Sequence, residues 1–159
     1  KYVILPGEAT MYIGTDFVGR SALPLVAIGE QFTAGFGVDP QLQVSRSLVD
    51  KTRNIQGGNQ VQSFDYRIAI SSYKAEPVKM QVWDRLPHGE TESVNVTLVK
   101  SGKDLSTDAA YLRDDRTKGL LRWDMTVQPG TSGEKAEVIT YSFKMEYARE
   151  ATISNLMSK

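Results

Sequence analysis

The stretch SFDYRIAI, residues 63–70, decides the fold class of this chain. Its apolar side chains fall on every second position, at Phe64, Tyr66, Ile68 and Ile70. Successive side chains of a β-strand point to opposite faces, so this period of two predicts a strand with one face in a core and the other in solvent.

The same period recurs in four later segments, and weaker patterns precede it. The later apolar positions are Val78, Met80 and Val82; Val94, Val96 and Leu98; Leu121, Trp123, Met125 and Val127; and Ile139, Tyr141, Phe143, Met145 and Tyr147. The weaker patterns predict strands over residues 10–13, 18–23, 31–36 and 42–49. Only residues 106–112 and the tail after Ala148 suggest as much as a helical turn.

Glycine and proline separate these segments at the spacing typical of sandwiches and barrels. We therefore predict an all-β fold, an antiparallel β-sandwich of about eight to ten strands. Residues 1–148 are expected to form one domain, and residues 149–159 a polar tail.

The segment NIQGGNQ, residues 54–60, predicts a hairpin tip. A two-residue loop at Gly57 and Gly58 would place Leu48 opposite Arg67, with apolar side chains facing polar ones. A loop of odd length, with a glycine bulge, would instead put Val44 and Leu48 on the face of Tyr66. We therefore predict the odd loop.

Residues 50–63, DKTRNIQGGNQVQS, are polar and have little to bury. We predict that they form a long hairpin arm that projects beyond the sandwich or lies along its surface, and that deleting the arm leaves the domain folded. If the arm binds a partner protein or a second copy of the chain, its strand edges are available for pairing. The candidate interaction residues are Lys51, Arg53, Ile55, Gln60 and Gln62.

Composition argues against several classes of function. The 159 residues include 19 basic and 19 acidic side chains, so a net charge of zero offers no source for the counterion release that drives nucleic-acid binding. The absence of cysteine excludes disulfides, thiolate zinc sites and thiol nucleophiles. No apolar run reaches the ~20 residues of a membrane-spanning helix, and no phosphate-binding glycine loop or dinucleotide motif occurs. We expect no nucleic-acid partner, no membrane span in this chain and no cofactor.

Four motifs in a fixed order resemble the C-terminal domain of unknown function of the mucoidy inhibitor A family. They are LPGEATMYIGTDFVGRSALPLVAIGEQFTAGFGVDPQLQVSRS (residues 5–47), YRIAISSYKAEPVKMQVWDRLPHGETESVNV (66–96), GLLRWDMTVQPG (119–130) and ITYSFKMEY (139–147). The resemblance covers nearly the whole chain up to about residue 148.

The resemblance implies an exported bacterial protein and a periplasmic or extracellular location. In that family a signal peptide, a small β domain and a coiled coil precede this β-rich domain, and the name suggests a link to exopolysaccharide production. It supplies no catalytic residues. Because the family's domain begins before the LPGE motif, the resemblance also implies that Lys1 lies inside a β domain. Strands that complete its sheets would then precede this chain or come from another copy.

The segment HGETE, residues 88–92, is the candidate metal site. In a strand His88, Glu90 and Glu92 would point to one face and offer a nitrogen and two carboxylates to a cation. Pro87 and Gly89 instead favour a turn, in which that alignment is lost. We expect a solvated turn, with these three residues as weak metal candidates.

Hydrolytic chemistry has few candidates. His88 is the only imidazole, and no G-x-S-x-G nucleophile motif occurs. The possible carboxylate pairs are Asp84 with Glu90 or Glu92, and Asp114 with Asp115. The last two lie between arginines in YLRDDRTKG, which favours solvated ion pairs.

The element WDRLP, residues 83–87, is typical of a strand that leaves a sandwich. Trp83 and Val82 point to opposite faces of the strand, so both faces are apolar, as expected where a strand passes between a core and a covering loop. Asp84 is expected to accept backbone N–H bonds and to pair with Arg85 or a neighbouring strand, and Leu86 to return to the core.

Aromatic residues raise a carbohydrate hypothesis, because sugars stack on exposed rings. Such binding would require two exposed rings in line on one face or groove. Trp123 and the aromatic residues of the last strand have the parity of the core. The remaining candidate platforms are Tyr12, Phe17, Tyr73, Trp83 and Tyr111.

The sequence favours a non-catalytic interaction or structural domain of an exported bacterial envelope protein. Its partner would be another protein, or a second copy, bound through the arm or an open sheet edge. A carbohydrate-binding module that takes an exopolysaccharide or another glycan is the alternative. A metal- or carboxylate-dependent hydrolase is less favoured.

Overall fold

The computed structural model describes residues 2–87 and 94–148. The chain forms two compact units, divided between Pro40 and Gln41. The first contains an antiparallel hairpin of β1 (Gly7–Ile13) and β2 (Asp16–Leu23), in which Val18 of β2 is the extra residue of a bulge. The predicted strands at 10–13 and 18–23 are confirmed and are longer than expected.

The predicted strand at residues 31–36 is wrong, since no ladder includes these residues. Gly29 and Gly37 flank the segment with φ of 85° and 91°, outside the region that extended strands use. A strand exists only where a neighbour supplies hydrogen-bond partners. Within the described part of this unit β1 pairs with β2 and a single bridge joins Ile4 to Val26, and neither includes residues 31–36.

The described part of the second unit contains six more strands and one short α-helix. They are β3 (Leu42–Gln56), β4 (Asn59–Ser72), β5 (Val78–Arg85), β6 (Val94–Ser101), α1 (Ala109–Asp114), β7 (Leu120–Val127) and β8 (Glu137–Ala148). One antiparallel sheet has the strand order β3-β4-β8-β6, and a two-stranded ribbon pairs β5 with β7. The all-β prediction is confirmed.

The core of the second unit lies between its four-stranded sheet and the β5–β7 ribbon. Phe64 of β4 lies opposite Phe143 of β8, and the two rings stack with centroids 4.9 Å apart. From the ribbon, Trp123 places its ring 5.7 Å from that of Tyr141. Its buried indole N–H donates to Ser101 Oγ of β6 over 3.0 Å. The faces predicted from the period of two are therefore the faces that pack.

The hairpin tip differs from the prediction. The loop consists of Gly57 and Gly58 alone, with Gln56 paired opposite Asn59, so the odd loop is wrong. Both glycines have positive φ, 59° and 86°, as in the type I′ turn that matches the twist of a hairpin.

At the base of the hairpin the apolar side chains lie on the predicted face of the sheet, but a bulge within β3 puts them there and not the loop. A β-bulge between Leu48 and Asp50 shifts the register of β3 by one residue. Leu48 therefore lies opposite Tyr66, and Val44 lies opposite Ile70. The extra residue that places apolar side chains on one face is in the strand rather than in the loop.

The polar arm does not stand alone. Its second strand is the first part of β4, which pairs with β8 as far as Asn59 opposite Ala148. The arm therefore lengthens the four-stranded sheet. Within the arm, the outer edge of β3 is the edge without a strand partner in the described part of the chain. Deleting residues 50–63 would remove the β4 residues that pair with the end of β8. We therefore no longer expect the domain to stay intact after this deletion.

The connection from β6 to β7 carries α1, a six-residue helix that overlaps residues 106–112, where a helical turn was predicted, and extends two residues beyond them. Asp108 caps its N-terminus, because Oδ1 accepts the backbone N–H of Tyr111 over 2.8 Å. No helix among the described residues has the length and apolarity needed to cross a membrane.

Candidate functional site

Three polar side chains join the two layers of the second unit. The phenol of Tyr141 on β8 donates to Asp84 Oδ2 on β5 over 2.6 Å. Arg46 on β3 donates from Nε to the same carboxylate oxygen over 2.8 Å, and from Nη2 to the phenolic oxygen over 2.8 Å. The guanidinium carbon lies 3.7 Å above the ring centre of Tyr66. The three side chains bind one another, and the other oxygen of Asp84 accepts the backbone N–H of Arg85, which indicates a structural clamp.

Electrostatics support that interpretation. Burial, together with the adjacent Asp84 carboxylate, raises the pKa of Tyr141 above its ordinary value near 10, so the phenol stays protonated. The pKa of Arg46 is also raised by its bonds to Asp84 and Tyr141, although burial opposes that shift. Neither group is prepared to exchange a proton near neutral pH.

The pairing of Asp84 with Glu90 or Glu92 stays a prediction, because both glutamates lie outside the described residues. Asp84 is bound by Arg46 and Tyr141, and its Oδ1 accepts the Arg85 backbone N–H over 2.8 Å. Asp114 forms an exposed ion pair with its neighbour Arg113, and the pKa of that carboxyl is lowered by the hydrogen bond from the guanidinium.

The candidate metal ligands His88, Glu90 and Glu92 lie outside the described residues, so the predicted site there stays a prediction. Within residues 2–87 and 94–148, no group of three or more histidine or carboxylate side chains is placed to hold a metal ion.

The five candidate interaction residues share the core-facing side of the sheet. Lys51 lies opposite the buried Phe64, Arg53 opposite Gln62, and Ile55 opposite Gln60. The two glutamines are engaged within the protein. Gln62 donates to the hydroxyl of Tyr147, which in turn donates to Gln60. Arg53 also donates to Gln60. The candidate interaction residues whose side chains face solvent are therefore the three on β3, Lys51, Arg53 and Ile55.

β3 is an edge strand of unusual length. It spans 15 residues and ends the strand order of its sheet, so its outer edge has no strand partner among the described residues. Nearly every side chain along it is exposed, including Val44, Leu48 and Ile55. Such an edge presents unpaired backbone groups and is a template for another strand.

The outer face of the β5–β7 ribbon carries a second cluster. Three cross-strand pairs lie in a row, Lys79 with Thr126, Gln81 with Asp124, and Trp83 with Arg122. The first two pairs, together with Arg122 of the third, line an open groove of about 670 Å³, and Trp83 lies next to it, opposite Arg122. Its lining residues are Lys79, Met80, Gln81, Arg122, Asp124, Met125 and Thr126.

The connection that contains α1 packs against this cluster through Tyr111 and Asp108. Tyr111 is buried against the edge of Trp83, with ring centroids 5.8 Å apart and planes at 84°. The guanidinium of Arg122 lies 5.5 Å from the Trp83 ring and 5.9 Å from the Tyr111 ring. Asp108 and Asp124 both pair with it, at 3.4 and 2.9 Å. Trp83 remains 43% exposed.

Sequence reasoning found Trp83 but missed its neighbours. The parity of Trp83 predicted a strand end between a core and a covering loop, and α1 is that cover. Arg122, Asp124 and Gln81 are alternate polar positions that look like an ordinary solvated face. Only the pairing of β5 with β7 shows that they are adjacent. Tyr111, which the sequence suggested as a platform for a sugar, is instead 1% exposed.

Comparison with protein families identifies a family for this chain. The model of a domain of unknown function, DUF4139, matches residues 4–149. Comparison with curated proteins gives no match, and comparison with solved structures gives none either.

Proposed function

Since the chain belongs to the DUF4139 family of domains of unknown function, we propose that it is a non-catalytic interaction domain. Its outer β3 edge takes up an extended segment of a partner protein by strand addition. We place it in an exported bacterial envelope protein of the mucoidy inhibitor A kind, in the periplasm or outside the cell, from the resemblance of its motifs to that family.

The observation that carries this proposal is the length of the open edge. At about 3.3 Å per residue, the 15 residues of β3 extend over roughly 50 Å. Proteins usually keep edge strands short or cover them, because exposed backbone groups invite pairing with another chain. An added strand would satisfy those groups and gain main-chain hydrogen bonds along the whole edge.

The side chains of β3 indicate what such a segment would look like. On the core-facing side, Val44 and Leu48 are exposed apolar residues, and Lys51 and Arg53 follow them toward the tip. A partner strand would place apolar side chains beside the first pair and acidic ones beside the second.

The same charges make a second copy a poorer partner. Antiparallel self-pairing about the tip half of β3 would bring Lys51 and Arg53 of both copies close together, with only Asp50 as a compensating charge in that stretch. The bulge at Leu48 and Asp50 would also interrupt a regular ladder between two copies.

A labelled synthetic peptide tests the proposal. Half of it alternates valine with threonine and half alternates glutamate with threonine; the comparison peptide carries lysine in place of glutamate. Fluorescence anisotropy should show binding of the acidic peptide, and hydrogen exchange should slow at β3 amides. The double variant Lys51→Glu with Arg53→Glu should reverse the preference. Lys144→Glu on β8, a matched reversal away from the β3 edge, should not.

Two results would contradict the proposal. Equal binding of both peptides by every variant would show that the charges of β3 do not select the partner strand. A concentration-dependent dimer in sedimentation, with β3 amides protected in the absence of peptide, would assign the edge to a second copy of the chain.

A further inference from the structure

We propose that the outer face of the β5–β7 ribbon is a carbohydrate-binding site, which takes a neutral oligosaccharide with one sugar ring lying flat on Trp83. The site is separate from the β3 edge, and its argument does not depend on strand addition.

Trp83 offers the stacking surface. A sugar ring has one face made mostly of C–H groups, which gains from covering an exposed indole. The exposed part of Trp83 is held in one orientation, because Tyr111 packs edge-on against it and the guanidinium of Arg122 lies 5.5 Å from its centre. A rigid ring loses little conformational entropy when a ligand binds.

Groups that suit sugar hydroxyls continue from Trp83 along the groove. Gln81 and Thr126 can each donate and accept, Asp124 accepts, and Lys79 donates. The indole N–H of Trp83 lies 3.4 Å from Gln81 Oε1, which places that amide next to the stacking surface. Successive cross-strand pairs are about 7 Å apart, so the row is longer than a single sugar ring.

Asp124 is the fixed acceptor in this row. Its Oδ2 accepts the hydroxyl of Ser106, and its Oδ1 accepts Nε of Arg122 over 2.9 Å. These bonds lower the pKa of the carboxyl, which is therefore ionised at neutral pH. Each carboxylate oxygen keeps a further lone pair for a ligand hydroxyl, and hydrogen bonds to an ionised acceptor are stronger than neutral ones.

The charge balance favours a neutral ligand. Arg122 is compensated by Asp108 and Asp124, and it is largely covered by the two rings. An anionic sugar would meet the ionised Asp124 at the centre of the row, with Lys79 only at its far end. Among the described residues this face carries one exposed ring, Trp83, rather than the two in line expected of a carbohydrate-binding module. One ring implies one stacked sugar rather than a long platform, so the ligand is short and its affinity modest.

Titration with three neutral pentasaccharides tests the site: maltopentaose, cellopentaose and mannopentaose, with pentagalacturonate as the anionic comparison. Trp123 is buried, so a change in tryptophan fluorescence reports on Trp83. We expect saturable binding of at least one neutral probe by fluorescence and calorimetry, and weaker binding of the anionic probe.

Variants separate the site from the rest of the fold. Trp83→Ala and Gln81→Ala should each weaken binding of that probe, the first by about tenfold or more, while the thermal midpoint shows that each variant is folded. Tyr73→Ala, which removes another exposed ring outside the groove, should bind as the unmodified protein does. The double variant Lys51→Glu with Arg53→Glu should also bind normally.

Failure of all three neutral probes to bind would overturn the inference. So would binding that survives both Trp83→Ala and Gln81→Ala. Tighter binding of pentagalacturonate than of any neutral probe would overturn the assignment to neutral sugars.

Discussion

The phenolic oxygen of Tyr141 lies 2.6 Å from Oδ2 of Asp84, and Arg46 closes the triangle with a guanidinium that contacts both. The three residues come from β8, β5 and β3, so the contact connects the edge of the four-stranded sheet to the ribbon that covers it. The open edge of β3 is thereby anchored to the core at its base.

Removing the central carboxylate should weaken the fold. Asp84→Ala leaves the phenol of Tyr141 and the guanidinium of Arg46 without their shared acceptor, and we expect the free energy of unfolding to fall by about 1–3 kcal/mol. Urea denaturation followed by circular dichroism measures the change. Asp114→Ala, which breaks an exposed ion pair, is the matched control and should leave the urea midpoint unchanged. Equal effects of the two substitutions would refute the clamp.

Alkaline pH should destabilise the protein through Tyr141. Its folded-state pKa is raised above the value near 10 that the unfolded chain has. Below pH 10 both states keep the proton, and above it the unfolded state releases the proton first. The free energy of unfolding should therefore fall as pH rises above about 10, by up to about 1.4 kcal/mol per pH unit. Tyr141→Phe should show a flatter dependence in urea denaturation between about pH 9 and about pH 11. An unchanged slope would mean that Tyr141 does not control it.

Gly102 should not tolerate a side chain. A Cβ at this position would lie 2.5 Å from Oγ1 of Thr140 and 3.3 Å from its carbonyl oxygen. Thr140 is β-branched, so its side chain has few alternative rotamers. Gly102→Ala should lower the thermal midpoint by several degrees, as overpacking of about 1 kcal/mol or more would do. At Gly35 a Cβ meets nothing within 4 Å, so Gly35→Ala is the control and should leave the midpoint nearly unchanged.

Shortening the arm should damage the sheet. Closing the hairpin after deletion of residues 50–63 removes the β4 partners of Tyr147 and Met145, which are both buried. We expect loss of cooperative unfolding, or a large fall in the thermal midpoint measured by calorimetry. A milder variant, Gly57→Ala with Gly58→Ala, keeps the strands but strains two positive-φ positions, and should cost about 1–2 kcal/mol at each position. If the deletion variant unfolds at the original temperature, the pairing of the arm with β8 contributes nothing to stability.

The hairpin shows how far pattern alone can lead. The apolar positions Val44 and Leu48 had to share a face with Tyr66, and that facing was predicted correctly. The location of the extra residue was not, because a bulge in the loop and a bulge at Leu48 give the same register at the base. Turn geometry at the two glycines, and pairing along β3, distinguish the two.

The sequence by itself determined the strands with a strong period of two, the faces they bury and the absence of thiol chemistry. Those features follow from side-chain alternation and composition, which are local. The tertiary structure decided that Arg46 meets Asp84 and Tyr141, which are 38 and 95 residues away in sequence. It also decided that Trp83 lies beside Tyr111 and Arg122. Alternation assigns a side chain to a face, whereas strand order and the packing of layers decide which distant side chains share that face.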